Sequence, residues 1–433
     1  MKSLARLKQR IISQARMNVL VRRTPGFYGR AMRELAAPPA ENDQKRKLAR
    51  ILRLASALPA YASVGSTRLS DYPLLSKDQI RACPADYLRQ TWLPKSVAKT
   101  SGTTGVPLGV SRSLNAVVFE QAVIDWLCAK AGIDLARARS AVLRGLDLKA
   151  PDDRAPPFWR QAGNSLLFSS NHLDRSTVRH FVSALNAFRP DVVLAYPSVA
   201  ENLIRLMQRE GLDFRCALVV TSSERLTPEA RAKISDAFDA RVFDYYGQAE
   251  RVACAYSLEP GAYWFVPHYA YVELLDGDDQ RGHEIVGTPL HNVSQILVRY
   301  RTGDHIVTAA HDPQHLRDVA AGRLPFEAVL GRTTDNVLLA RRGGILVGID
   351  HIPRGLDDLG RFQVIQTAPD QALILVQASG EVPADAERRI MANARTKLPA
   401  GFDVRIAFVD DLRRTPSGKT PYVIREVSEA DLG

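Results

Sequence analysis

Four short stretches of this 433-residue chain carry side chains with chemistry to offer. The first is Lys99-Thr100-Ser101-Gly102-Thr103-Thr104-Gly105-Val106-Pro107-Leu108-Gly109, hydroxyls and glycines with no large side chain before Val106. Glycine permits φ > 0 and a close approach of backbone to ligand. Successive N–H groups exposed in such a turn form a concave anion site, and the hydroxyls of Ser101, Thr103 and Thr104 can swing onto phosphate oxygens. The stretch reads as a phosphate-gripping loop, the alternative being a polar surface turn. It is not a Walker A loop, which needs G-x-x-x-x-G-K-[ST]. No lysine follows Gly105, and Gly418-Lys419-Thr420 has Arg413, not glycine, at the required earlier position.

The other three are Tyr245-Tyr246-Gly247-Gln248-Ala249-Glu250, then Arg299-Tyr300-Arg301-Thr302-Gly303-Asp304 followed by Gly331-Arg332-Thr333-Thr334-Asp335, and finally Arg414-Thr415-Pro416-Ser417-Gly418-Lys419. Taken singly, Asp304 reads equally as a turn residue and Lys419 as a solvated lysine after a glycine turn. Their order and spacing together are what is specific.

The elements that must position them follow from periodicity. Residues 1–23 are rich in Lys and Arg, with Leu4, Leu7, Ile11, Ala15 and Val19 at helical spacing, so an amphipathic helix is expected. It would pack on its own domain or make a weak peripheral contact with an anionic membrane. Pro38-Pro39 begin a polar linker, Leu48–Leu58 reads as a helix ended by Pro59, and another helix starts at Ser76. Leu114–Ala131 is helical and Ser140–Arg144 a buried strand. Helices over Thr177–Phe188, Val199–Glu210 and Pro228–Ala237 then alternate with strands at Asp191–Ala195, Ala217–Thr221 and Ala240–Tyr245. Such alternation predicts βαβ units and a mostly parallel sheet, with ligands at the carboxyl ends of its strands. Ser222-Ser223-Glu224 and Tyr246-Gly247 occupy those ends. Tyr269–Leu275, His283–Thr288 and Gln295–Tyr300 read as antiparallel strands. After Gly331-Arg332, strands near Val337–Leu339, Gln363–Thr367, Ala372–Gln377 and Val404–Phe408 and a helix over Ala384–Leu398 make a small α+β domain.

Composition bounds the function classes. With 45% hydrophobic and 24% charged residues, the chain suits a globular protein of two or three domains. Cys83, Cys128, Cys216 and Cys254 are far apart with no C-x-x-C pair, which argues against a disulfide framework and fits a reducing cytoplasm. No run approaches 18 uninterrupted apolar residues, so no membrane span is expected. The formal charge of +11 is scattered and unaccompanied by a nucleic-acid signature. A basic enzyme that handles polyanionic nucleotides is the simpler reading, and no nucleic-acid partner is expected.

The order of the four stretches resembles the adenylate-forming superfamily of acyl-CoA synthetases and adenylation domains. Within it the chain resembles the phenylacetate-CoA ligase group and its CapK-type capsule-biosynthesis branch. The segments that carry this are Leu69–Ile80, "VLRG" within Ser140–Gly145, "SLLFSSNH" within Asn164–His172 and "RPDVVLAYPS" over Arg189–Ser198. The resemblance covers roughly residues 45–425 and implies an α/β fold: a large N-terminal domain of mixed βαβ and antiparallel sheets and a small mobile α+β C-terminal domain. The corresponding division is 1–45 as a basic helical segment, 46–331 as the nucleotide- and acid-binding domain, and 332–433 as a lid carrying the catalytic lysine.

The implied reaction joins a small carboxylic acid to the α-phosphate of ATP, expels pyrophosphate and transfers the acyl group to a thiol, coenzyme A first among the candidates. The Ser101, Gly102, Thr103, Thr104 and Gly105 loop would hold the β- and γ-phosphates, with Thr104 counted in the catalytic set. Glu250 would bind Mg²⁺. Tyr246, with Gly247, would lie against adenine, and the backbone of Ser222, Ser223 and Glu224 would meet the base edge. Asp304 would hold both ribose hydroxyls with help from Arg332. Lys419 would bridge carboxylate and α-phosphate, swinging in on a hinge near Gly331–Asp335. The acid, aryl or otherwise apolar, would bind near Tyr196, Pro197, Ser198 and Tyr245. A carrier protein, amine or hydroxyl in polysaccharide or secondary-metabolite assembly is the alternative acceptor, and a degenerate nucleotide-binding protein the alternative of another class. The oligomeric state is open, a homodimer included.

Departures from the family pattern are Val106 where a basic residue is usual, Thr334 at the hinge, and Gln248-Ala249 beside Glu250. Some relatives carry a structural zinc on Cys and His. Here Cys254 and His268 offer two ligands, whereas Pro313 argues against His311 and His315 sharing one helix.

Overall fold

A computed structural model of the chain describes residues 21, 24–38, 41–91, 94–99, 108–146, 148–150, 152–276, 282–332, 337–340, 343–346, 359–378, 382–395, 398, 401–415 and 418–427. The helix expected over residues 1–23 lies, apart from Val21, outside the described residues. The chain forms two compact units: Met1–Ala136 with Phe243–Leu330, and Arg137–Val242 with Gly331–Gly433.

The first unit opens with α1 (Pro25–Ala36) and α2 (Glu41–Ala55). The sequence did not announce α1, because Gly26 and Gly29 dilute its helix propensity and it buries only Ala31 and Leu35. It is tied down from outside: Tyr28 Oη donates to Asp125 Oδ2 at 2.5 Å. In α2, Leu48, Ile51, Leu52 and Ala55 form the buried stripe that helical spacing demands. The expected start at Ser76 is a reciprocal capping box with Gln79, opening α3 (Lys77–Ala82). Strands β1 (Lys95–Lys99) and β2 (Gly109–Ser113) pair antiparallel, with Lys99 opposite Gly109, and α4 (Leu114–Ala129) follows.

The second unit contributes β3 (Ser140–Leu143), β4 (Trp159–Ala162), β5 (Ser165–Phe168), α5 (Val178–Phe188), β6 (Val192–Ala195), α6 (Pro197–Glu210), β7 (Leu218–Ser222) and α7 (Pro228–Phe238). β7, β6, β3 and β5 lie parallel in that order, and β4 is antiparallel to β5. The expected parallel sheet is therefore present, and its apolar strands pack with α5, α6 and α7 in one core.

The chain returns to the first unit along β8 (Arg241–Gly247). There follow β9 (Cys254–Glu259), β10 (Ala262–Phe265), β11 (Ala270–Leu275), β12 (His283–Pro289), β13 (Tyr300–Val307), α8 (Pro313–Ala320) and β14 (Ala328–Arg332). β11, β12 and β13 are antiparallel neighbours. The strand expected over Gln295–Tyr300 is displaced: β13 begins only at Tyr300, after Arg299 at φ 52°. Ile296, Leu297 and Val298 are fully buried, but instead of a continuous ladder their stretch has isolated backbone bonds, such as Ile296 N to Tyr87 O, and a tyrosine side chain. Tyr61 Oη donates to Ile296 O and accepts from Val298 N, each at 3.0 Å. An apolar run shows burial, and periodicity cannot tell which partner takes the peptide groups. Pro313 sits at the start of α8 behind an Asp312 cap, so His311 lies outside that helix and His315 inside it.

The C-terminal elements are β15 (Val337–Ala340), β16 (Gly343–Leu346), β17 (Leu359–Ala368), β18 (Gln371–Ala378), α9 (Ala386–Arg395), β19 (Asp403–Val409) and β20 (Val423–Arg425). Four of these strands form a sheet in the order β19-β18-β17-β20. Its core includes Val364, Ile374, Ile390 and Phe402.

One residue of the first unit makes its stability sensitive to acid. His291 stacks on Phe119 at 3.7 Å between ring centroids and donates from Nε2 to His268 O at 2.7 Å. Burial, reinforced by the charge of Lys47, pushes its pKa down to about 3, against about 6.5 in an unfolded chain. Between those values the unfolded state binds the extra proton, so this contribution is intact above about pH 6.5 and is lost as pH falls towards 3. We expect urea unfolding at pH 7, 5.5 and 4 to show His291 adding up to ~1.4 kcal/mol per pH unit to the slope. His291→Gln should flatten that slope, and equal slopes in the two proteins would remove His291 from the titrating groups.

Candidate functional site

The expected site residues fall into two groups, one in each unit. In the first unit, two motifs interlock through tyrosine–carboxylate hydrogen bonds. Tyr246 Oη donates to Asp304 Oδ2 at 2.7 Å, and Gln248 Nε2 donates to Tyr246 Oη at 2.8 Å. Tyr300 Oη donates to Glu250 Oε1 at 2.8 Å. The stretch 245–250 is thus pinned to the stretch 299–304 by two reciprocal pairs, each motif supplying one phenol and one acid. Burial and then Asp304 push the Tyr246 phenol well above its ordinary pKa, so it stays a donor. Asp304 is half-buried, and its own amide donates to Thr302 Oγ1 at 3.0 Å.

Behind this pair lies a charged cluster that no motif announced. Tyr245 and Tyr269 both donate to the Glu120 carboxylate, and Arg251 Nε stands 3.7 Å from Glu120 Oε2. Burial alone would raise the Glu120 pKa, but Arg251, the two phenols and Arg112 hold it below its ordinary value. Arg112 donates from Nε and Nη2 to Ala249 O at 2.9 and 2.7 Å, fixing the turn that carries Glu250. The available signal was Glu120 and Asp125 as the charged residues of the largely apolar helix α4. Tyr245, expected beside the acid, has its hydroxyl committed to Glu120.

In the second unit, α6 begins at Pro197 with Tyr196 as N-cap, and Tyr196 offers no side-chain cap. Glu224 takes over that task from the loop after β7: Ser198 N donates to Oε2 and Ser198 Oγ to Oε1, both at 2.9 Å. An anion there also suits the positive end of the helix. Ser223 adopts φ 70°, and Ser222 Oγ lies 3.4 Å from Ser223 Oγ. Lys419 sits on a turn closed by Gly418 N to Thr415 O and Thr415 N to Lys419 O, both 2.8 Å. Its ammonium lies 5.6 Å from the centre of the Tyr196 ring. Arg414 anchors the turn by donating to Ser170 O and Leu173 O at 3.0 Å each. Lys419, Tyr196, Ser198 and Glu224 are therefore neighbours. Arg332 ends β14, half-buried. The Ser101–Gly105 loop, with Thr103 and Thr104, lies outside the described residues, as do Val106 and the hinge positions 333–335; the paired strands β1 and β2 flank that loop in sequence.

Residues 338–426 match the CapK C-terminal domain family. The chain is 20% identical over 369 residues to the protein CapK of Staphylococcus aureus, covering 83% of this chain and 80% of that one. The chain is thus similar to CapK over most of its length, with a CapK C-terminal domain at its end. A stretch of 138 residues is 29% identical to phenylacetate-coenzyme A ligase of Pseudomonas putida, which is 28% of this chain and 31% of that one. Among solved structures, 2-hydroxyisobutyryl-CoA ligase in the postadenylation state in complex with 2-HIB-AMP aligns with a TM-score of 0.54 at 18% identity, over 96% of this chain and 91% of that one. The fold is thus that of an adenylate-forming ligase, and the resemblance drawn from the four motifs is borne out.

For metal, Glu34, Asp43 and His268 bring three ligand atoms within 4.8 Å of one another. Lys47 already serves that pair of acids, donating to Glu34 and lying 3.1 Å from Asp43 Oδ2. Cys254 is buried, which pushes its thiol well above its ordinary pKa and disfavours the thiolate a metal needs. His311 Nδ1 faces His283 Nε2 at 2.8 Å.

Gly418 is demanded twice over. It has φ +77°, and a Cβ there would lie 2.6 Å from Gly145 Cα and 2.7 Å from Asn171 Oδ1. Gly211, at the end of α6, has φ +62° with open space around it. Gly211→Ala should cost only the left-handed strain, ~1–2 kcal/mol. Gly418→Ala should cost more, or expel the Lys419 turn, as read by urea unfolding and by hydrogen exchange of residues 414–420. Equal costs with an undisturbed turn would contradict this packing.

Proposed function

We propose that the chain activates a carboxylic acid with ATP and passes the acyl group to a thiol. A carboxylate oxygen attacks the α-phosphorus, the bond to the β-phosphate oxygen breaks, and pyrophosphate leaves. The thiolate of coenzyme A then attacks the acyl carbon and AMP leaves. The observation that carries this reading is the seating of Lys419, on its anchored turn in the CapK C-terminal domain, beside Tyr196 and Ser198. An ammonium there would offset the charge that builds up as carboxylate meets α-phosphate.

The remaining roles follow from donor sets. Asp304, oriented by Tyr246, takes the ribose hydroxyls, with Arg332 assisting. Tyr246 and Gly247 line the adenine, with the backbone of Ser222–Glu224 at the base edge. The Ser101–Gly105 loop takes the β- and γ-phosphates. Glu250 is buried, 2% exposed, with Oε1 engaged by Tyr300. A single oriented carboxylate fits Mg²⁺, which binds through one or two carboxylates plus phosphate oxygens. When bound, Mg²⁺ would neutralise charge on the leaving pyrophosphate. Residues 332–433 act as the lid that brings Lys419 in and excludes water from the acyl-adenylate. The apolar and aromatic character of the segment around Tyr196 and Pro197 supports an aryl or other apolar acid. The CapK match over most of the chain favours a second acceptor class, a carrier-protein thiol or an amine or hydroxyl in polysaccharide assembly.

The test is carboxylate-dependent exchange of labelled pyrophosphate into ATP across a panel of aryl and apolar acids, with coenzyme A added afterwards to convert exchange into AMP release. Exchange is expected with at least one acid. Binding of ATP without exchange for any acid would reduce the protein to nucleotide binding. Lys419→Ala should slow adenylation about 10²–10³-fold while ATP affinity stays near wild type, and Lys419→Arg should not restore it fully. Equal loss in adenylation and in transfer from supplied acyl-adenylate would mean that Lys419 only supports the fold. Asp304→Ala should weaken ATP binding about tenfold or more, the worth of charge-assisted hydrogen bonds; unchanged affinity in nucleotide titration would remove Asp304 from the site.

A further inference from the structure

Glu224 makes one hydrogen bond that capping of α6 does not require. Besides Ser198, its Oε1 accepts from Thr420 N at 3.0 Å. The carbonyl of the same residue accepts from Arg361 Nη2 at 2.7 Å. Arg361 Nη1 in turn donates to Glu201 Oε2 on α6 at 2.9 Å, and the guanidinium lies over the Tyr422 ring at 4.6 Å. Nη2 stands 4.0 Å from Glu224 Oε2, and the Arg361 and Glu224 side chains are only 6% and 8% exposed. Both peptide groups of the residue immediately after Lys419 are therefore held by buried charges.

The charges are divided in a way that lets this seam open. If the C-terminal elements move away, Glu224 keeps both Ser198 donors. Arg361 keeps the Thr420 carbonyl and the Tyr422 face, which travel with it. Each charge therefore keeps hydrogen-bond partners, although Arg361 parts from both of its carboxylates. What is lost includes the Thr420–Glu224 bond and the Arg361–Glu201 pair, together with the Arg209–Asp410, Arg205–Asp411 and Gln377–Asn202 contacts that also join α6 to the C-terminal elements.

We infer that Glu224 is a positioning residue: by gripping the Thr420 amide while it caps α6, it fixes Lys419 beside Tyr196, and the lysine leaves only once that amide is released. The assignment of the held state to adenylation rests on the function proposed above; the grip itself does not.

Hydrogen exchange on the intact chain decides the grip without any acid. Glu224→Gln presents only one acceptor oxygen to three donors and removes the countercharge of Arg361. Amide exchange over residues 418–422 should accelerate about ten- to a hundredfold, with residues 372–376 of β18 exchanging at the wild-type rate. Glu201→Gln, which leaves Glu224 intact, should accelerate the same segment less and serves if the first variant does not fold. Unchanged exchange over 418–422, or acceleration shared equally by β18, would overturn the proposal. In a second measurement, with phenylacetate and phenylacetyl-adenylate as probes, Glu224→Gln should lower the ratio of pyrophosphate exchange to thioester formation at least about tenfold; an equal fall in both would likewise overturn it. Absence of exchange in the wild type would count against the activity reading alone, since the amide rates report the grip independently.

Discussion

A carboxylate can be buried only if donors come with it, and donors that stay neutral or fully paired are the ones that do not cost more than they return. Four acids of the candidate site, Asp304 among them though only half-buried, are held in this way. Glu120 is held by Arg251 and two tyrosine hydroxyls, Glu250 by Tyr300, Asp304 by Tyr246, and Glu224 by backbone and hydroxyl donors from Ser198 and Thr420. Most of these donors belong to the motif stretches or their immediate neighbours, so satisfying the acid also positions the segment.

The two groups of residues divide the work. In the first unit, the interlocked stretches 245–250 and 299–304 make a rigid framework whose acids have fixed orientations. Arg112 on the Ala249 carbonyl and the Glu120 cluster stiffen it from behind. In the second unit, the residues around Lys419 are held through backbone groups and a few ionic links on a turn that ends a compact α+β segment. The first arrangement is suited to recognising a nucleotide without reorganisation, and the second to a cation that must come and go. That contrast is what the proposed reaction would need, with a lysine that serves only the first of its two transition states.

The homology fits the same division. The CapK C-terminal domain match begins at residue 338 and ends at 426, enclosing Lys419, Thr420 and Arg361. Two departures from the family pattern, Val106 and Thr334, fall in stretches outside the described residues. Glu250, Asp304 and Lys419, the acids and the cation that the chemistry calls for, are all present with defined neighbours.

Local chemistry was legible in the sequence wherever one stretch decides its own conformation. The Ser76–Gln79 capping box, Pro313 opening a helix, and the alternation of strands and helices through residues 177–247 are short-range consequences of side-chain type and spacing. The four motifs were legible for the same reason, and so was the resemblance they carry. What the sequence alone left open was decided by partners far along the chain. Helix α1 has too much glycine to declare itself and is secured by Asp125. Residues 295–299 look like a strand but share their peptide groups between the Tyr61 hydroxyl and isolated bonds to the distant Tyr87 and Leu75 backbone. Glu224 reads as a strand-end residue, yet its role comes from Ser198 and Thr420, and Glu120 gains one only from Arg251, Tyr245 and Tyr269. Burial and the identity of a hydrogen-bond partner are properties of three-dimensional neighbours, and no local period or propensity encodes which distant donor a buried acid will meet.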